Sequence, residues 1–247
     1  MPNDYFQFQQ FRIDQSDCAQ KVSTDACLLG AAADLTGATR VLDIGTGTGL
    51  LALMVAQRAP AATIEAIEID PAAAAQAAAN VAASPWASRI RVRPLSLAAY
   101  AAALPPVFSH IICNPPFFRR SLAPPDAARA TARHAGEASL TFAEIAAFAA
   151  AFLAPAGTLT VLLPPPEMGH FVRAARAAGL PPQARLVVRH RPGGRVTRVI
   201  GQFGRGAAEM ETSLTIQEED GAYSAAFRTL LAGFYLGWYP HYSRASS

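Results

Sequence analysis

Of the 21 basic residues in this 247-residue sequence, Lys21 is the single lysine; the rest are arginine. Long apolar runs are also missing. No stretch of about 18 or more apolar residues is free of polar breaks, and no signal-peptide pattern opens the chain. A membrane-spanning helix and a secretory leader are therefore not expected. Cysteine is scarce as well. Cys18, Cys27 and Cys113 lack metal-ligand spacing and cannot all pair, so the expectation is a reducing cytoplasm and no metal site. Charged residues make up only 16% against 51% hydrophobic, which excludes intrinsic disorder and allows a large core. No linker rich in Gly, Pro or Ser separates domains, so 1–247 reads as a single domain.

Alanine dominates what is present, with 54 residues, many in helical stretches such as 72–79. The net charge is only +3, but it is unevenly spread. Between 168 and 208 lie Arg173, Arg176, Arg185, Arg189, Arg191, Arg195, Arg198 and Arg205 without a single acid. That asymmetry suits a polyanionic partner, and equally a solvated basic face.

Short apolar strands at 40–44, 63–69, 89–93, 108–113 and 158–163 alternate with helices at 50–58, 71–83, 97–103 and 142–153. This alternation predicts an α/β fold with a mostly parallel sheet covered on both faces. Asp70-Pro71 and Thr141 with Glu144 are helix-start signals. Segments 185–191 and 196–203 flank Pro192-Gly193-Gly194 and read as a hairpin, so an antiparallel pair closes a seven-stranded sheet. A short strand over 213–216 and an aromatic-faced helix over 223–235 follow. Ahead of the sheet, 5–13 alternates aromatic and polar residues, and 24–35 reads as a helix capped by Ser23 or Thr24.

The first strand runs into Asp43-Ile44-Gly45-Thr46-Gly47-Thr48-Gly49. Glycines there allow a tight turn and close approach of a ligand. Leu50 stands where a pyrophosphate loop needs its third glycine, and Asp43 would repel a pyrophosphate. A ligand with a positive amino group suits that acid. Glu68 ends the second strand 19 residues after Gly49, where an acid can accept from both ribose hydroxyls. Together the acids point to a nucleoside carrying an amino acid. The loop and the Glu68-Ile69-Asp70 end resemble the Rossmann-like methyltransferases that use S-adenosyl-L-methionine.

The fourth strand ends in Cys113-Asn114-Pro115-Pro116-Phe117. Two prolines fix the backbone and donate nothing, so the Asn114 side-chain oxygen and the Pro115 carbonyl stand as acceptors. Held rigidly, they can grip an amino group on a planar ring and aim its lone pair, while Phe117 stacks on the ring. No strong base is required, because the leaving thioether is neutral. The motif resembles the signature of amino-methyltransferases acting on adenine, cytosine, guanine or glutamine amides.

Phe6-Gln7-Phe8-Gln9-Gln10-Phe11, the run from Cys18 to Gly30, Asn114-Pro115-Pro116-Phe117, Ala132-Arg133-His134, Leu214-Thr215-Ile216 and Phe234-Tyr235 resemble the bacterial tRNA adenine-N6 methyltransferases acting on adenine 37 of a valine tRNA. The likeness spans nearly the whole chain. It implies N6-methylation by direct in-line transfer, a covering segment over 1–36 and a catalytic core over 37–240; for the oligomeric state the expectation is a monomer. For the cofactor it implies Lys21, Thr24, Asp43, Gly45, Thr46, Gly47, Gly49, Glu68, Ile69, Ser96 and Asn114. Ser96 stands in for the Asp or Asn that many relatives carry after the third strand. For catalysis it implies Asn114, Pro115, Pro116 and Phe117, and for RNA Phe117, Arg119, Arg120, Arg133 and His134, in a long loop suited to the phosphates around an extruded base. Methylation of rRNA guanine N2, methylation of a protein glutamine, and a non-catalytic RNA-binding module are the competing readings. Fewer than 40 residues precede Arg40, which favours a compact RNA enzyme over the glutamine methyltransferases with their helical substrate domain.

Overall fold

Two three-residue strands, β1 (Tyr5–Gln7) and β2 (Arg12–Asp14), pair antiparallel ahead of the main sheet. Alternation in 5–13 has a physical counterpart: Phe8, Phe11 and Ile13 are buried, and the rings of Phe8 and Phe11 stack 4.5 Å apart. The structure, a computed structural model, describes residues 4–16, 18, 21–115, 140–206 and 210–237.

The main sheet is built from β3 (Arg40–Ile44), β4 (Thr63–Glu68), β5 (Ile90–Pro94), β6 (Phe108–Cys113), β7 (Leu153–Leu163), β8 (Pro182–Arg189), β9 (Val196–Phe203) and β10 (Met210–Thr215). Its order is β10-β8-β9-β7-β6-β3-β4-β5, with β9 antiparallel to both neighbours. Eight strands replace the seven expected. The eighth, β10, runs parallel to β8 and buries Leu214 against the core, so the hairpin does not form the sheet's edge. A second departure lies in β7, which starts at Leu153 rather than 158. Leu153 pairs with Phe108, the register then shifts, and pairing resumes at Thr158 opposite His110. Pro155 and Gly157, which fall between the helix and the strand expected from the sequence, form a bulge inside the strand. A side chain at Gly157 would meet the Phe108 and Ala154 carbonyls at 3.0 Å.

Seven helices of the described residues cover the sheet: α1 (Thr24–Ala32), α2 (Leu50–Arg58), α3 (Pro71–Ala82), α4 (Leu97–Ala102), α5 (Phe142–Phe152), α6 (Pro165–Ala177) and α7 (Ala225–Leu231). The sequence signals act as expected at their starts. Ser23 caps α1, Asp70 caps α3 ahead of Pro71, and Thr141 with Glu144 closes a reciprocal capping box on α5. Two helices stop early, and in both cases a side chain supplies what another turn would have supplied. Helix α1 ends at Ala32, where the Arg58 guanidinium takes the Gly30 and Ala33 carbonyls at 2.9 and 2.7 Å. Helix α7 covers 225–231, not 223–235. Beyond it the carbonyls of Ala232 and Tyr235 accept from the Gln9 amide, and that of Gly233 accepts from Gln57.

Alternation along the strands sorts the core into two layers. Val41 and Ile112 pack on one face with α1, α2, α7 and the β1–β2 hairpin; Leu42, Ile44, Ile111 and Cys113 pack on the other with α4, α5 and α6. Asp43 shares the face of Val41, beneath α2. None of the described helices is long and apolar enough to cross a membrane.

Candidate active site

The sheet order reverses between β3 and β6: the chain goes outward from β3 through β4 to β5, then returns to β6 on the other side. Sheets of this kind open a ligand crevice at the carboxyl ends beside such a reversal. Ile44 is in register with Cys113 and with Ile67, so Gly45, Asn114 and Glu68 each follow directly on three adjacent strands, about 4.8 Å apart. The topology thereby brings together the three motifs that lie far apart in sequence.

The glycine loop has the backbone that only glycine adopts freely. Gly45, Gly47 and Gly49 all have positive φ, at 69°, 55° and 84°. A side chain at Gly45 or Gly47 would enter open space, whereas one at Gly49 would press on Ala77 at 3.4 Å. The first two glycines thus border the crevice, and the third sets the packing of α2 on α3. The Gly45 and Thr46 N–H groups donate to the Ile67 carbonyl at 2.9 and 3.0 Å, which ties the loop to β4.

Both acids hold this loop in shape, a task the sequence did not reveal. Asp43 is fully buried. Its Oδ2 accepts from the Thr46 hydroxyl at 2.5 Å and from the Ala52 N–H at 3.1 Å, the latter being one of the N–H groups expected free at the start of α2. Its Oδ1 has no hydrogen-bond partner among the described residues. Burial pushes the Asp43 carboxyl up to about 7, the hydrogen bonds from Thr46 and Ala52 opposing and the nearby Glu68 adding to the rise. Glu68 accepts from the Gly47 N–H at 2.9 Å through Oε2 and from the Asp70 N–H at 3.1 Å through Oε1. Ile69 beyond it is 45% exposed, an apolar side chain presented at the crevice end of β4.

Asn114 carries the second orphan: its Oδ1 is buried without a hydrogen-bond partner among the described residues. Native proteins rarely leave such acceptors unmet. Pro115 is buried next to it. Lys21 and Thr24 are exposed around the start of α1, whose Asp25 pairs with Arg198 of β9 at 2.6 Å. Ser96 Oγ caps α4 by accepting from the Ala99 N–H at 3.1 Å, which leaves its O–H free to donate. Pro116, Phe117, Arg119, Arg120, Arg133 and His134 lie outside the described residues. His110 sits lower in β6, at the level of Val41, between the hydroxyls of Thr158 and Thr160. Burial lowers its pKa to about 4, so it is a neutral structural group. Among the described residues no group of three His, Cys, Asp or Glu could hold a metal ion.

Asn80 is the site residue that the sequence reading missed. It is buried in α3, donates to the Asp14 and Thr48 carbonyls at 2.8 and 2.9 Å, and accepts from the Asp14 N–H at 2.9 Å. One side chain thus pins β2 to the glycine loop. Its signal was present: an Asn inside an otherwise alanine-rich helix sacrifices helix propensity. Asn80→Ala strands three backbone groups and is expected to lower stability by about 2 kcal/mol and cofactor affinity several-fold. Thermal denaturation and cofactor titration check both effects.

The buried acid, glycine loop and amide acceptor side by side suit methyl transfer to an amine, and the comparisons agree. Residues 18–163 match the methyltransferase small domain family. A curated tRNA1(Val) (adenine(37)-N6)-methyltransferase of Tolumonas auensis is 43% identical over 94% of this chain and 96% of its own length. A protein of that name from Bacteroides thetaiotaomicron is 41% identical over 96% and 99%. The chain belongs to this methyltransferase family. Solved structures add likeness of fold. A predicted O-methyltransferase from Agrobacterium tumefaciens superposes with a TM-score of 0.64 at 23% identity, covering 85% of this chain and 96% of that one. The ribosomal protein L11 methylase of Lactobacillus delbrueckii gives 0.55 at 16%, covering 79% and 84%. The methyltransferase family and the Rossmann-like α/β fold thus agree with the sequence reading, while the individual site residues rest on the geometry above.

Proposed function

We propose that this methyltransferase transfers a methyl group from S-adenosyl-L-methionine to N6 of an adenine in tRNA, adenine 37 of a valine tRNA being the position favoured by its relatives' names. The observation that carries the chemistry is the Asn114 Oδ1, buried without a partner among the described residues, one strand away from the glycine loop. Among the described residues those present fit the cofactor: open space over Gly45 and Gly47, an Asp43 Oδ1 without a hydrogen-bond partner and an exposed Ile69. Gly45, Thr46, Gly47 and Gly49 would hold its amino-acid part, with Asp43 toward its amino group, Glu68 toward the ribose and Ile69 against the adenine. In this reading Lys21, Thr24 and the 1–36 segment would cover the site, and 37–240 would supply the catalytic core.

When bound, S-adenosyl-L-methionine supplies an electrophilic methyl carbon. Asn114 Oδ1 and the Pro115 carbonyl accept the two amine hydrogens of the substrate adenine, which draws the nitrogen lone pair out of the ring. Phe117 stacks on the base, and Arg119, Arg120, Arg133 and His134 contact the surrounding RNA. The strand ends position the amine, and orientation supplies most of the rate. The ammonium product loses its proton to water without a dedicated base.

Labelled methyl transfer into bulk tRNA lacking the modification, followed by nucleoside analysis, tests this. N6-methyladenosine in a single tRNA species is the expected outcome. Methyl-guanosine, or label incorporated only when rRNA or protein is supplied, would overturn the substrate. Cofactor binding without any transfer would favour a binding module.

A further inference from the structure

We propose that the tip of the β8–β9 hairpin is a phosphate-binding surface for the substrate RNA, with Arg189, Arg191 and Arg195 as its contacts. This rests on the RNA reading above and assigns the partner's backbone to a definite place. Eight arginines between 168 and 208 looked alike in sequence, and the fold separates them by task. Arg185 pairs with Glu211, and Arg198 pairs with Asp25. Arg205 binds the carbonyls of Ala150, Leu153 and Ala154 at the end of α5. Arg173 and Arg176 lie in the second half of α6, which leaves the carboxyl end of β7 and runs back toward the start of β8.

The remaining three share one place. Strands β7 and β8 are both antiparallel to β9, so β8 ends where β7, β6 and β3 end, at the crevice. Leu163, the last residue of β7, is level with Val199 and Val187, while Arg189 pairs with Val196 farther out. The tip therefore overshoots the end of β7 by two paired residues, about 7 Å, before its turn begins. Only β7 separates the hairpin from Asn114's strand, a lateral step of about 10 Å from β9 and about 15 Å from β8.

The turn is fixed. Gly193 has a φ of 65°, the Gly194 N–H donates to the Arg191 carbonyl at 3.1 Å, and a side chain at Gly194 would meet that oxygen at 3.0 Å. Arg191 and Arg195 are thus exposed on either side of a rigid turn, and no carboxylate among the described residues pairs with them or with Arg189. The acids on the hairpin's side of this end include Asp25, engaged by Arg198, Glu167 at the start of α6, and Glu218, Glu219 and Asp220 in the turn after β10. The last three follow directly on Gln217, whose N–H donates to the His190 carbonyl at 2.9 Å, so they border the tip on its β10 side, the side away from Asn114. Arginines carried on and beside a fixed turn, without acidic partners among the described residues and raised beside the crevice, suit phosphates flanking the target nucleotide; they position the RNA and read no base.

Binding of unmodified substrate tRNA should be followed from about 50 to 300 mM salt for the wild type, for Arg189→Gln/Arg191→Gln/Arg195→Gln and for Arg173→Gln/Arg176→Gln. The tip variant is expected to bind at least tenfold more weakly at low salt. Its slope of log K against log salt should flatten by roughly two units, at about 0.7–0.9 per phosphate contact. Cofactor affinity should hold in the tip variant, and the α6 variant should keep the wild-type slope. An unchanged slope in the tip variant, or an equal flattening in the α6 variant, would overturn the surface. A wild-type protein that transfers methyl groups yet binds no RNA would overturn the substrate reading itself, and the surface with it.

Discussion

Asn114→Ala is expected to lower the methyl-transfer rate about 10²–10³-fold while raising or preserving the melting temperature. These two effects come from one atom. A buried acceptor without a donor costs about 1–3 kcal/mol, and Asn114 Oδ1 has none among the described residues. Truncation removes that cost and leaves only a small void at a strand end. A residue retained for packing would show the opposite sign, since its loss would destabilise the protein. On the proposed mechanism the missing donor is the substrate amine, so the strain is relieved only when substrate is bound. Affinity for tRNA should hold, because the backbone contacts lie elsewhere. Single-turnover kinetics with saturating cofactor, beside a thermal melt, checks the pair of effects. A rate within tenfold of wild type, or a marked fall in melting temperature, would remove Asn114 from the chemistry.

The parts of the fold that sequence made legible are those whose local and tertiary demands coincide. Segments 40–44, 50–58 and 108–113 form as read, because short apolar runs ending in glycine or proline have few other uses in a covered sheet. The misreadings arise where a distant side chain decides the outcome. Arg58 ends α1, Gln9 and Gln57 stand in for a further turn of α7, and the Phe108 pairing draws Leu153 into β7 despite Pro155. None of these leaves a periodicity to find.

The site followed the same rule. The placement of Gly45, Glu68 and Asn114 at neighbouring strand ends was legible, because each closes a short apolar run of an alternating α/β pattern. The inward duties of Asp43 and Glu68 were not, since a carboxylate that brackets a loop and one that meets a ligand look identical in sequence. The arginines show the converse. Composition revealed their number, and only strand register separated the three at the crevice from those tied to Glu211, Asp25 and the end of α5.

Cofactor affinity is expected to rise with pH up to about 7, by as much as tenfold per unit, and Asp43→Asn should abolish that dependence. Burial raises the Asp43 carboxyl to about 7 from an ordinary 3.8, so the empty protein holds it protonated through the acid range. Because the folded value lies above the unfolded one, the group's contribution to stability is complete below about pH 4. It is lost as pH climbs through 7, and it amounts to at most about 4 kcal/mol. The positive amino and sulfonium groups of the cofactor favour the carboxylate, so binding at pH 6 must expel a proton. Calorimetry in two buffers of different ionisation enthalpy should therefore record nearly one proton released by the wild type and none by Asp43→Asn. The asparagine keeps an acceptor for the Thr46 hydroxyl and the Ala52 N–H, so the loop should survive the change. A wild type that releases no proton at pH 6 would leave Asp43 as a bracket of the glycine loop alone, and the cofactor's amino group would need another partner.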